Sequence, residues 1–180
     1  MSCRVTEHHL PQDPRSPMSS KVDLSEIVDA FENQGDSMRS FVERKTGEVL
    51  MISEEALSWA ERQDEEGERR EDEGDWWSEE VERARRVLSS DDHLELPSQW
   101  DLHEYEILRT FVLGRASEHE RDQLGRAIQG RGAFRRFKDV AAALEVLDEW
   151  FAYRRREFRE TARAWCEENE LAFDDGEEEN

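Results

Sequence analysis

Apolar residues recur at the three- and four-residue spacing of an α-helix along most of this chain. In residues 24–31, for example, Leu24, Ile27, Val28 and Phe31 fall on one helical face. Asp23 stands just before them, where an acidic side chain can cap the helix. Each such helix must bury its apolar stripe against another element. This pattern predicts a mostly helical packed domain.

A smaller β-structure is indicated near the N-terminal half. Two runs rich in Val, Met, Phe and Ile flank a turn at Gly47 within residues 37–53, as in a β-hairpin. Residues 93–97, "HLELP", alternate apolar and polar side chains and stop at a proline, as an edge strand does. The predicted fold class is α+β: a mostly helical single domain with a two- or three-stranded antiparallel sheet.

Composition divides the chain into a domain and polar segments. Residues 1–20 contain three prolines and no hydrophobic period, which predicts a disordered tail. Residues 21–172 form the predicted single domain. It is interrupted at 61–75 by an acidic linker that contains no aliphatic or aromatic residue. The linker is interpreted as a solvating segment, with an acidic mimic of nucleic acid as the alternative. Residues 173–180 are predicted to be an acidic disordered tail.

The segment "GRGAFRRFKD", residues 130–139, combines glycines, aromatic residues and cations. Its glycines predict a helix end and a tight turn before a new helix, whose aromatic face continues in the helix that follows. The predicted core of this region comprises Gly132, Phe134, Phe137, Trp150, Phe158 and Trp165. Leu88, Tyr105 and Phe151 are also predicted to face the core.

Charge is distributed unevenly along the chain. The formal net charge is −21, yet residues 126–163 contain ten cations and six acids, and the rest contains 15 cations and 40 acids. Such asymmetry can steer a charged partner towards one face. The predicted basic binding surface comprises Arg131, Arg135, Arg136, Lys138, Arg155, Arg156, Arg159 and Arg163.

Arg154 breaks the pattern of the last helix, because its side chain falls inside the aromatic arc, close to Trp150 in projection. An unpaired buried guanidinium is costly. Arg154 is therefore predicted to form a core ion pair with a carboxylate while stacking on a tryptophan; a buried anion site is the alternative.

Motifs for enzyme chemistry are not found. His103 and Glu104 begin a zincin-like "HEYEI" segment, but Ile107 occupies the position of the second histidine, and His119 belongs to a capped helix start. Two distant cysteines favour free thiols over a disulfide framework or a zinc site. The sequence thus predicts no catalytic residue, cofactor or metal. A metal-dependent hydrolase or nuclease assembled from scattered acids remains the second alternative.

The expected location is the cytoplasm. The first twenty residues lack the apolar region of a secretory signal, and no apolar run is long enough to cross a membrane. The expected partner is another protein, because the net charge of −21 opposes nucleic acid. Nucleic acid, bound through the same basic surface, is the first alternative.

The two C-terminal segments, "GRGAFRRFKD" and "WFAYRRREFRETARAWCEEN", resemble the signature of a family of uncharacterised bacterial proteins. "KTGEV" in the predicted hairpin and "LELP" are similar to the same family. The similarity spans residues 22–170, and this chain differs by its acidic insert and acidic C-terminal end. The resemblance implies a small α+β protein, and it assigns no catalytic residue. The function predicted from the residues themselves is that of a noncatalytic binding or regulatory module.

Overall fold

The computed structural model describes residues 21–66 and 75–176. The predicted tail at 1–20 and the middle of the predicted linker, 67–74, lie outside the described residues. In chain order the elements are β1 (Val22–Asp23), α1 (Leu24–Asn33), β2 (Met38–Glu43), β3 (Val49–Ser53), α2 (Glu54–Glu66), α3 (Asp75–Leu88), β4 (His93–Glu95), α4 (Glu104–Leu113), α5 (Glu118–Ala127), α6 (Ala133–Ala143), α7 (Leu147–Glu168) and β5 (Phe173–Asp174).

The predicted antiparallel sheet is confirmed, with three strands, and with it the α+β fold class. Its strand order is β3-β2-β4, so β4 is an edge strand. Phe41 of β2 pairs with Leu50 of β3 and with Glu95 of β4. The hairpin turn requires glycine at position 47, where φ is +75° and an added Cβ would lie 2.8 Å from the carbonyl oxygen of Lys21.

A second, two-stranded sheet joins the two ends of the described chain. β1 and β5 are parallel, with Val22 paired to Phe173. Residues 173–176, which the sequence assigned to a disordered tail, therefore belong to the folded domain. The reason is tertiary packing: Phe173 packs against a hydrophobic cluster that includes residues of α1 and α7, and Asp175 binds two arginines of α7.

Three hydrophobic clusters hold the elements together. The first joins α1 to the second half of α7 through contacts such as Phe31 against Phe158, whose ring centroids are 5.9 Å apart. The second joins the hairpin to α2 and α3. The third joins α4, α5, α6 and the start of α7. In it, α4 and α6 each contact both α5 and α7.

The structure also corrects several predicted core positions. In α3, Val87 is buried and Leu88 is 42% exposed, since Val87 lies three residues after buried Ala84. Tyr105 is 41% exposed and donates a hydrogen bond from its hydroxyl to the carbonyl oxygen of Ile128. Phe151 is 40% exposed.

The boundaries of the predicted linker differ as well. α2 extends to Glu66, and α3 begins at Asp75, one turn before the predicted start at Ser78. Helical hydrogen bonding therefore continues into both flanks of this charged segment.

Among the described helices, none combines the length and the apolar character that crossing a membrane requires.

Candidate functional site

The "GRGAFRRFKD" motif is built around Phe137. Gly132 has φ +77°, a conformation that favours glycine, and α6 starts at the next residue. Phe137 is fully buried, and its ring meets the ring of Trp150 edge to face at 5.3 Å. Phe134, one turn earlier, is half-buried against the same cluster. The aromatic residues of α6 thus pack the interior.

The aromatic residues of α7 also pack in the interior. Trp150 and Phe158 are almost completely buried, and Trp165 is partly buried against the first cluster. These aromatic rings are occupied by packing contacts, which leaves the cations as the candidates for contact with a partner.

Arg136 has a structural role. Its guanidinium donates hydrogen bonds to the backbone carbonyl oxygens of Ala127 (3.2 Å), Gln129 and Arg131 (2.6 Å). These carbonyls follow the C-terminal end of α5, where the helix dipole favours a cation. Arg136 therefore fixes the turn between α5 and α6.

Arg155 pairs with the chain's own acids. It donates to Asp29 at 2.9 Å and to Glu32 at 2.8 Å, both on α1. These ion pairs join α7 to α1, and the charge of Arg155 is balanced by two carboxylates of the same chain.

Arg159 and Arg163 share one carboxylate. Arg159 donates from Nε to Asp175 at 2.8 Å, and Arg163 donates to Asp175 and, at 3.0 Å, to Glu160. The hydrogen bond from Arg159 lowers the pKa of the Asp175 carboxyl, and Arg163 acts in the same direction. This contact fastens the C-terminal segment to α7.

The Asp175 contact predicts a pH-dependent contribution to stability. A carboxyl whose pKa is lower in the folded protein stabilises the fold at neutral pH, and this contribution is lost as the pH falls through its unfolded and then its folded pKa. We expect Asp175→Asn to lower the free energy of unfolding by about 1 kcal/mol at pH 7 and by much less near pH 3. Urea denaturation at both pH values measures this difference.

Asp139→Asn is the matched control, because Asp139 is exposed and forms no ion pair with the described residues. A loss in Asp175→Asn that is equal at both pH values would contradict the assignment.

Four cations of the predicted surface stay solvent-facing. Arg131, Arg135 and Lys138 are exposed, and in the described ranges, 21–66 and 75–176, no carboxylate lies within ion-pair distance of them. Arg156 is 64% exposed, and its only neighbouring carboxylate in those ranges is Glu157 at 4.0 Å. The eight residues predicted to form the basic binding surface thus do not form one continuous surface of free cations.

Arg156 borders a groove between α4 and α7. The groove has a volume of about 470 Å³ and is lined by Thr110, Phe111, Gly114, Arg115, Glu149, Ala152, Tyr153 and Arg156. The guanidinium of Arg156 lies over the ring of Tyr153 at 5.0 Å, and that of Arg115 lies over Phe111 at 5.4 Å. Two aromatic rings therefore form its apolar part, and two arginines border it. We call it the α4–α7 groove.

Its two arginines differ in how firmly they are held. Arg115 forms ion pairs with Glu149 and, at 2.7 Å, with Glu120, and the hydrogen bonds that it donates to these two carboxylates raise the pKa of its guanidinium. Arg156 stacks on Tyr153, and among the described residues its only ion-pair contact is the 4.0 Å one to Glu157. Arg115 is therefore a fixed wall of the groove, and Arg156 is available to a ligand.

Sequence reasoning missed Phe111 and Arg115. Phe111 lies three residues after Leu108, so the helical period could have identified it, but the adjacent Val112 continues the same stripe at the four-residue spacing and is also buried. Arg115 follows Phe111 at the four-residue spacing at which a cation can reach a ring. Its pairing with Glu149 on α7 has no local signal.

Arg154 lies on the aromatic side of α7, as its position in the helical projection predicted, and it contacts both carboxylates and an aromatic ring. Its side chain is 16% exposed, with Nε 2.7 Å from Oε1 of Glu104 and NH1 3.9 Å from Glu32. The N–H bond of Arg154 Nε is not directed at Glu104 Oε1, so the contact between them is an ion pair and not an aligned hydrogen bond. The guanidinium stacks on Phe158 at 4.7 Å. Phe158 thus takes the place of the predicted tryptophan.

The residues considered for metal chemistry are not assembled into a centre. Glu104 pairs with Arg154, while His119 is exposed beside Gln123. Across the part of the chain that the structure describes, no group of three or more His, Cys, Asp or Glu side chains is arranged to hold a metal ion. Burial raises the pKa of the Cys166 thiol to about 11, which disfavours a reactive thiolate.

Comparison with known proteins adds no relative: no family model, curated protein or solved structure matches this chain. The resemblance to a family of uncharacterised bacterial proteins therefore stays a prediction.

Proposed function

We propose that this protein is a noncatalytic protein-binding or regulatory module whose α4–α7 groove receives an acidic segment of a partner protein. The observation that carries the proposal is Arg156, an exposed arginine stacked on Tyr153 at the border of an open aromatic groove. Arginine and tyrosine are enriched at the energetic centres of protein interfaces. A partner carboxylate would pair with Arg156 while an apolar side chain lies against Tyr153.

Exposed apolar side chains next in sequence to lining residues of the groove support a protein partner. Leu113 precedes the lining residue Gly114 and is 66% exposed, and Phe151 precedes Ala152 and is 40% exposed. Large side chains exposed next to a concave surface are typical of contact sites. A partner would bury them together with the groove.

The charge of the whole chain shapes the expected binding. At −21, the protein repels an acidic partner at long range. Affinity must then come from short-range contacts with the arginine and the aromatic rings. Moderate salt, which screens long-range repulsion, should weaken such a complex less than a complex held by phosphate contacts.

The proposal predicts a selective loss of partner capture. We expect Arg156→Glu and Leu113→Glu each to reduce retention of a specific protein about tenfold in quantitative pull-downs from nuclease-treated lysate. Both side chains are largely exposed, so the fold should persist, as circular dichroism can verify. Arg86→Glu on α3 is the matched charge control and should retain the partner. Capture that is identical for all variants would contradict the groove as the contact surface.

Nucleic acid is the second candidate, favoured by Arg131, Arg135 and Lys138 in and just before α6, which are exposed and have no carboxylate at ion-pair distance within the described ranges. Each phosphate contact releases counterions, so affinity would fall steeply with salt. In that case Arg135→Glu/Lys138→Glu, and not Arg156→Glu, would abolish binding, and nuclease treatment would remove the captured material. The two sets of variants therefore separate the two candidates.

A further inference from the structure

The chain carries an acidic sequence of its own close to the α4–α7 groove. The described residues end at Gly176, and the next three residues in the sequence, 177–179, are all glutamates. We call residues 177–179 the glutamate run. Its charge is the one expected of the partner segment that the groove receives. The position of Gly176 sets where this run follows the folded domain.

Gly176 lies against the outer side of α7. Its neighbour Asp175 accepts hydrogen bonds from Arg163 and, at 2.8 Å, from Arg159. A Cβ added at Gly176 would lie 3.8 Å from NH2 of Arg159. The glutamate run therefore starts beside the guanidinium of Arg159.

Arg156 is the neighbour of Arg159 on the surface of α7. Residues three positions apart in a helix have their Cβ atoms about 5–6 Å apart. Arg156 is also the most exposed of the three arginines, because its side chain is 64% exposed, against 24% for Arg159 and 30% for Arg163. It borders the groove. A further carboxylate near Arg159 thus finds Arg156 one helical turn away.

The glutamate run is long enough to reach this arginine. An extended chain advances about 3.3–3.6 Å per residue, so three residues cover about 10 Å. The long side chains of glutamate and arginine add to this reach. A carboxylate of the run can therefore pair with Arg156 while β5 stays paired with β1.

Attachment to the same chain favours this contact over the contact with a separate molecule. A segment joined to its site through a few residues has an effective concentration in the millimolar range. A partner at about micromolar concentration must then be bound well enough to displace it. Even a weak ion pair within the chain is enough to lower the apparent affinity for a partner.

We propose that the glutamate run pairs with Arg156 and competes with the acidic segment of a partner for the α4–α7 groove. The contact is autoinhibitory, because binding of the partner requires that the run leave Arg156. Its regulatory effect rests on the proposed function of the groove, whereas the contact itself needs no partner.

The contact is tested first in the full chain without a partner. The variant Glu177→Gln/Glu178→Gln/Glu179→Gln, the neutral-run variant, removes the charge of the run and keeps its length. We expect the NMR signals of Arg156 Nε–H and of the Ala152 backbone N–H to shift relative to the wild type at low salt, where ion pairs are least screened. Unchanged signals would overturn the proposal.

The variant Glu26→Gln/Glu55→Gln/Glu79→Gln is the matched control. It also removes three negative charges, from exposed positions that do not line the groove. The signals of Arg156 and Ala152 should stay where they are in the wild type. Equal shifts in the two variants would mean that these signals report the total charge of the chain, and the proposal would fall.

Competition is measured with a peptide that has the sequence of residues 176–180, Gly-Glu-Glu-Glu-Asn. The neutral-run variant and the control variant have the same net charge, so general repulsion of the peptide is equal in both. We expect saturable shifts of Ala152 in both, with binding about twofold to fivefold weaker in the control variant, as an exposed ion pair within the chain implies. Adding Arg156→Gln to the neutral-run variant should remove the shifts. Equal affinity in the two variants, or shifts that persist without Arg156, would overturn the proposal.

Partner capture distinguishes failure of this proposal from failure of the proposed function. Where both hold, the neutral-run variant retains more partner than the control variant in the pull-down described above. Unchanged NMR signals together with capture that depends on Arg156 would overturn the autoinhibitory contact and leave the proposed function intact. Shifted signals together with capture that Arg156→Glu does not change would support the contact and contradict the proposed function.

Discussion

Replacing Phe137 with alanine is expected to lower the free energy of unfolding by about 3–5 kcal/mol. The side chain is fully buried and contacts Trp150 and Phe111 edge to face, with centroid distances of 5.3 and 6.2 Å. Its removal leaves a cavity between α4, α6 and α7 that rigid helices cannot fill. Urea denaturation followed by circular dichroism measures the loss.

Phe134→Ala is the matched control, because Phe134 belongs to the same helix face and is only half-buried. It should lose clearly less stability than Phe137→Ala, since the transfer term grows with the apolar area withdrawn from water. Equal losses in the two variants, or a Phe137→Ala protein that unfolds like the wild type, would show that the third cluster is not packed around Phe137.

The helical period allowed most of this packing to be predicted. Phe137 and Phe158 lie on stripes that repeat every three or four residues, a local property of the chain. Where two apolar residues are adjacent, as at Val87 and Leu88, the period leaves the choice open, and contacts with neighbouring elements decide it. The same holds for the adjacent Phe111 and Val112, which are both buried.

The partners of the charged side chains could not be predicted from the helical period. Arg155 binds Asp29, which lies 126 positions earlier in the sequence, and Arg159 binds Asp175 in a segment whose composition indicates disorder. Such pairs depend on the packing of α7 against α1 and on the pairing of β5 with β1. The helix wheel therefore identified a basic stripe, and only the fold shows that several of its members are engaged.

Arg154→Ala is expected to lower the free energy of unfolding by about 1–3 kcal/mol. Removing one member of a fully buried ion pair costs roughly 3–5 kcal/mol. Here the side chains of Glu104 and Glu32 are 33% and 28% exposed, so water compensates part of the loss. The substitution also removes the guanidinium that stacks on Phe158. Chemical denaturation at neutral pH measures the total.

Two further variants divide this loss into its parts. Arg154→Met keeps an apolar chain over Phe158, so it should recover the packing contribution and leave the electrostatic one. A double-mutant cycle of Arg154→Met with Glu104→Gln then isolates the pair, and we expect a coupling energy of about 1 kcal/mol or more. Arg155→Ala, next in sequence and 44% exposed, should cost about 1 kcal/mol or less despite its two carboxylate partners. Equal losses at Arg154 and Arg155 would mean that the ion pairs between α7 and α1, rather than burial beside Phe158, determine how firmly α7 is held.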